Sequence, residues 1–160
     1  MFTFPNPVNE LAARTVAGGV LLLSLATLLL SLVSHQWLWL TVALAYGFVA
    51  RVLTGPTLSP LGQLATRVVA PQLGEAKLVP GPPKRFAQAI GAVVTLSAVA
   101  LVASGYDLAA QALLATMVAF ALLESVFAYC VGCKVFGALM RVGVIPAETC
   151  EACNDLALAR

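Results

Sequence analysis

From Thr15 to Ala50 the chain contains no Asp, Glu, Lys or Arg. At about 1.5 Å per helical residue this stretch would extend roughly 54 Å, whereas the hydrocarbon core of a bilayer is about 30 Å thick. One helix cannot use that length, so the stretch is expected to cross a membrane twice. The break falls at Ser34-His35-Gln36, followed by Trp37 and Trp39, where an interfacial aromatic belt would place them. This predicts helices over about 11–33 and 37–53. The composition agrees: 61% of residues are hydrophobic and 10% charged, against about 25% charged in soluble domains. So small a chain cannot hide that much apolar surface from water.

The second half repeats the plan. Phe86 to Ser104 is apolar, Gly105-Tyr106-Asp107 makes a turn with Asp107 as a helix cap, and a further apolar run begins at Leu108. This predicts helices over about 86–104 and 108–132. Between the two hairpins, Ser59-Pro60 reads as a capped helix start. Leu61, Leu64, Ala65 and Val68 then recur at helical spacing, which predicts a short interfacial helix over about 60–70. Pro80-Gly81-Pro82-Pro83 reads as an extended lead into the third crossing. Met1 to Glu10 has no basic residue and precedes an apolar run too long for a signal peptide, so the first helix is expected to be retained.

With four crossings, the termini and the middle loop share one side. All nine Lys and Arg residues fall on that side, and the outer turns hold none. The positive-inside rule then predicts a multi-pass protein of the inner (plasma) membrane with both termini cytoplasmic. A net charge of only +2 argues against nucleic acid as a partner; the expected partner is the lipid bilayer.

The four cysteines lie together as Cys130-x-x-Cys133, sixteen residues, then Cys150-x-x-Cys153. Paired spacing of this kind is the pattern of a tetrathiolate site. Such cysteines also pack as small hydrophobes, which suits Cys130 at the end of an apolar run. It does not suit Cys150 and Cys153 among Glu148, Glu151, Asn154 and Asp155. In a reducing cytosol stable structural disulfides are rare, which leaves two readings. Four thiolates hold one zinc ion in a closed tetrahedral site, or the pairs are dithiols that exchange electrons or sulfur. Cys150 follows Pro146-Ala147-Glu148-Thr149 near a helix start, which favours a thiolate, while Glu148 and Glu151 oppose it.

Glu124 is the one charge inside the fourth apolar run. A carboxylate there costs about 2.5–3.5 kcal/mol on insertion scales, so it should face a partner. Arg14 and Arg51 lie at comparable depth and would pair with it; the functional alternative is a proton-accepting or ligand-holding role below the cysteines. Glu10 and Arg14 are spaced to pair along helix one, Asn6-Pro7 reads as its cap, and His35 reads as a solvated turn residue.

An ordered set of segments runs along the chain: Phe4-Pro5-x-Pro7-Val8-Asn9-Glu10 with Arg14, Gly55-Pro56-x-x-Ser59-Pro60, Pro82-Pro83-Lys84-Arg85-Phe86-Ala87-Gln88, and the two C-x-x-C pairs. It resembles a family of small bacterial integral membrane proteins known as domain of unknown function four-three-nine-five. That family brings no established activity. The resemblance implies a thioredoxin-like or sulfurtransferase protein as partner, which favours thiol or sulfur chemistry.

The reading as a whole is an all-α integral membrane four-helix bundle over 1–133, with a short interfacial helix and a cytoplasmic Cys-rich C-terminal cap over 134–160. Its expected function is thiol-redox or sulfur handling through Cys130, Cys133, Cys150 and Cys153, with Glu124 nearby. The alternative is a non-enzymatic membrane protein whose four cysteines hold a structural or sensing zinc ion.

Overall fold

The computed structural model describes residues 4–150 and Cys153. Helix α1, Glu10–Ser31, starts where the Asn9 side chain accepts the Leu11 N–H at 3.0 Å. Asn9 is therefore the cap, and not Asn6-Pro7. Asn6 instead accepts the backbone N–H of Gly81 at 3.0 Å, tying the N-terminal segment to the third crossing. Beside it, β1 (Val8–Asn9) and β2 (Leu78–Val79) form a two-residue antiparallel ribbon, the only strands among the described residues. A 3-10 turn at His35–Leu40 runs straight into Thr41–Thr54, giving α2 over His35–Thr54. Gly55 ends it at φ +62°, a conformation that suits glycine, and a side chain there would meet the Pro5 ring.

Helix α3 starts at Pro60 and continues through a π-helical stretch at Ala65–Val69 to Gln72. The Ser59 hydroxyl caps it, accepting the Gly62 N–H at 3.2 Å, as the Ser-Pro signature predicts. Two of the four residues that set its spacing, Leu61 and Ala65, pack inward. Gly62, Ala65 and Ala70 are buried, and the helix lies against α1, with Leu61 seated on Gly19. Leu64 and Val68 point outwards. Small residues let two helix backbones approach closely, and this decides the contact.

Helix α4 spans Gly81–Ala103, five residues longer at its start than the sequence suggested. Pro82 and Pro83 occupy its first turn, where the missing N–H groups cost nothing; they are helix and not an extended lead. Helix α5 spans Asp107–Phe127. Asp107 is its first residue and not its cap, still favourable against the helix dipole. The expected fourth crossing, to about 132, stops short. Ala128 turns left-handed at φ 54°, and the Tyr129 N–H bonds back to the Leu123 carbonyl at 3.0 Å. A separate amphipathic helix, α6, follows over Val131–Arg141.

Within the bundle α1 packs chiefly on α5, α2 on α4, and α4 on α5. The core gathers Val16, Val20, Leu44, Phe48, Leu114 and Met117 with many alanines. Buried Thr27, Thr41 and Thr95 return their hydroxyls to carbonyls of their own helices, while the buried Ser24 hydroxyl of α1 finds no partner among the described residues. Helices α1, α2, α4 and α5 are each long and apolar enough to cross a membrane. Leu22, Leu29, Val93, Leu96 and Leu108 stand exposed around them. A surface so apolar fits lipid and not water.

Candidate functional site

Helices α1 and α4 begin, and α2 and α5 finish, at one end of the bundle, the end that carries the basic residues. The last carbonyls of a helix lack partners within it, and two arginines supply them. Arg14 donates from Nε and Nη2 to the Ser125 carbonyl at 3.2 and 3.0 Å and to the Val126 carbonyl at 3.1 Å, closing α5. Arg85 donates to the Val52 carbonyl of α2 at 3.0 Å. Cations placed there also meet the negative end of each helix dipole. Glu10 pairs with Lys77 at 2.8 Å, so the expected Glu10–Arg14 pair does not form.

Glu124 faces the bundle as its cost in lipid demands, yet neither Arg14 nor Arg51 is its partner. Lys84, in the first turn of α4, donates to its Oε1 at 2.7 Å, and both side chains are largely buried. Packing of α4 on α5 sets the two at one level, which spacing along the chain could not indicate. Arg51 is buried at 5% exposure. It lies over the Phe48 ring at 4.6 Å and donates from Nε to Gln88 at 2.8 Å and from Nη1 to Ser59 at 3.2 Å.

The first C-x-x-C sits at the start of α6. Cys130 is the cap residue, and its sulfur accepts the Cys133 N–H at 3.2 Å. The two are joined as a disulfide with Cα atoms 5.2 Å apart. Cys130 is buried and Cys133 is half-buried, so the pair has an inner and an outer sulfur. Gly132 lets α6 lie directly on Ala87 of α4, and Phe136 anchors the helix against Phe86 with ring centroids 5.6 Å apart. Cys130 lines an apolar cavity of about 250 Å³ that opens into the bundle beside Phe48, Met117 and Phe120, with Glu124 on its wall. The sequence-predicted Glu124 and Cys130 thus share a cavity.

Cys150, at the end of a 3-10 turn over Ala147–Cys150, is joined to Cys153 in the same local way, again with Cα atoms 5.2 Å apart. The four cysteines therefore form two local pairs. Among the described residues no group of three or more His, Cys, Asp or Glu side chains is gathered to hold a metal. His35 lies at the opposite end of the bundle, as the first residue of the 3-10 turn that opens α2.

In the sequence Arg51 reads only as a partner for Glu124, and hydropathy and charge do not single out Lys84 or Gln88. One signal was available: Lys84 and Gln88 are spaced i,i+4 and share a helix face.

Neither the curated proteins nor the solved structures include a match to this chain. The family described as Domain of unknown function (DUF4395) matches residues 8–141, which include Cys130 and Cys133 and end before Cys150 and Cys153. The chain belongs to that family.

Proposed function

We propose that this is a membrane-anchored thiol–disulfide exchange protein whose reactive pair is Cys130–Cys133. The observation that carries the reading is the placement of both sulfurs at the N-terminus of α6, in bonding reach of one another. Unpaired amide N–H groups at a helix start favour negative charge, and the thiolate is the species that attacks and leaves in exchange. The outer sulfur is the point of entry. A thiolate of a soluble dithiol protein attacks Cys133 Sγ, and the bond to Cys130 Sγ breaks, leaving a thiolate there. The partner's second thiol then displaces Cys133. Two electrons have entered the pair, and the partner leaves as a disulfide.

The positive-inside rule puts the basic end, and so the cysteines, on the cytoplasmic side of the inner membrane. A thioredoxin-like or sulfurtransferase protein is the fitting partner there. Cys150–Cys153, separated from Cys133 by sixteen residues, is suited to pass electrons between that partner and the bundle. In the sulfur-handling form of this reading, the Cys133 thiolate of the reduced pair attacks the outer sulfur of a sulfurtransferase persulfide, the donor's S–S bond breaks with its thiolate leaving, and Cys133 carries the transferred sulfur as a persulfide.

The tetrathiolate spacing supports a second reading, one zinc ion held by Cys130, Cys133, Cys150 and Cys153. One experiment separates the two. The full chain, purified in detergent without reductant, is assayed for metal and then titrated with a glutathione redox buffer while free thiols are trapped by alkylation. Exchange predicts no stoichiometric zinc and a cooperative two-electron titration of Cys130 and Cys133, abolished in Cys133→Ser. One zinc per chain with all four thiols protected from alkylation would replace exchange by the zinc reading.

A further inference from the structure

Thiol exchange uses the cysteines and leaves the other sequence motifs without a role. Three of them meet in space. The segment Phe4–Asn9, the pair Gly55-Pro56 and the first turns of α4 line a single cavity of about 300 Å³ at the basic end of the bundle. Arg51, Lys84 and Gln88 stand in its wall, and among the described residues no Asp or Glu lines it.

The charges there do not balance. Lys84 is answered by Glu124 at 2.7 Å. Arg51 has only the neutral acceptors Gln88 Oε1 and Ser59 Oγ, and among the described residues its Nη2 is buried without any partner. Glu124 acts on Arg51 only at a distance and is already engaged by Lys84, so no carboxylate touches this guanidinium; at 5% exposure that is costly in a protein interior and more so at membrane depth. Buried charges persist where something opposite completes them. Most of the remaining wall is apolar, with Phe4, Pro5, Pro7 and Pro56 giving it rigid faces, and Asn9 and Thr66 are its neutral polar residues besides Gln88. Rigid apolar walls with one converging cation are what hold the body and the head of an organic anion.

We infer that this cavity binds a phosphate-bearing organic anion, its phosphate oxygens completing the fork of Arg51 beside Lys84 and its apolar part lying on the proline walls. Guanidinium and phosphate match in geometry, two N–H donors to two oxygens. The same chemistry is offered by a soluble phosphate monoester and by the headgroup of an anionic phospholipid. Gln88 also lines the cavity that holds Glu124 and Cys130, so the anion site adjoins the disulfide without sharing its residues.

The test uses the full chain in neutral detergent, stripped of lipid, with phenyl phosphate as the soluble probe. Thermal unfolding should rise saturably by roughly 5 °C over sodium chloride of equal ionic strength. Arg51→Met should lose the rise while unfolding no lower than the parent in ligand-free buffer, since an unmatched buried charge is removed. Thr66→Trp, which fills the mouth and keeps Arg51, should also lose it, and serves if Arg51→Met fails to fold. Lipid extraction from protein purified without stripping distinguishes the sources. An anionic phospholipid retained one per chain by the parent and lost in both variants assigns the site to a headgroup; the phenyl phosphate rise without such lipid assigns it to a soluble ester. No rise together with no retained lipid overturns the site, and so does a rise or retention that survives both variants.

Discussion

Gly132 and Gly137 lie five residues apart on α6, one at a backbone contact and one in open space, and their alanine variants should diverge. A Cβ on residue 132 would stand 2.6 Å from Cβ and 2.7 Å from Cα of Ala87, backbone-anchored atoms of α4 that cannot rotate away. Carbon contacts settle at about 3.5–4.0 Å, so α6 would have to move off α4 by roughly 1 Å. Overpacking of this kind costs about 1–3 kcal/mol. Gly137 meets nothing within 4 Å, and Gly→Ala inside a helix gains up to about 1 kcal/mol. The propensity gain is common to both variants on α6, so Gly137→Ala should exceed Gly132→Ala in stability by the overpacking cost, about 1–3 kcal/mol, read by reversible unfolding in mixed micelles. The displacement has a second readout. In reduced protein, alkylation of Cys130, 8% exposed, should speed up in Gly132→Ala and stay unchanged in Gly137→Ala. Equal stability of the two variants, with equal alkylation, would refute the close docking of α6 on α4.

Glu124→Gln strips Lys84 of its counter-charge. Breaking a fully buried pair costs about 3–5 kcal/mol; both side chains here keep some exposure, 12% and 18%, so about 2 kcal/mol is expected after screening. Adding Lys84→Met should recover most of it in the same unfolding assay, and failure to recover would show that the pair is not the cause. Arg14→Gln leaves the Ser125 and Val126 carbonyls short of charged donors and should cost about 1.5–3 kcal/mol, with faster amide hydrogen exchange confined to the last turn of α5. Phe136→Ala empties a site that is 4% exposed against Phe86; a loss of about 3 kcal/mol, with proteolysis appearing between Tyr129 and Arg141, is the expected result.

Much of this arrangement was written along the chain. The charge-free run from Thr15 to Ala50 demands two crossings, and the polar cluster at Ser34-His35-Gln36 marks the only economical place to turn. Ser59-Pro60 announces a helix because a hydroxyl cap and a fixed φ act locally, over three residues. The C-x-x-C pairs are legible for the same reason, since two sulfurs three residues apart reach each other whatever the rest of the fold does. The end of the fourth crossing was not legible. It has no Gly or Pro, and Ala128 takes a left-handed conformation that costs alanine about 1–2 kcal/mol. The Tyr129 N–H bond to Leu123, the Arg14 contacts with the last carbonyls of α5 and the docking of α6 on Ala87 and Phe86 offset it.

By itself, then, the sequence determined the four apolar helices, their common basic end and the two C-x-x-C spacings, because each follows from hydropathy, charge or short spacing, while it left a shared four-sulfur centre and two separate pairs both open. Tertiary structure alone decided that Glu124 contacts Lys84 and not an arginine, that Arg14 and Arg85 close the ends of other helices, and that Arg51 is left with no carboxylate in contact beside a proline-walled cavity. Those outcomes depend on which helices lie side by side and at what level. Such choices are made by small residues at close contacts, and a one-dimensional pattern does not contain them.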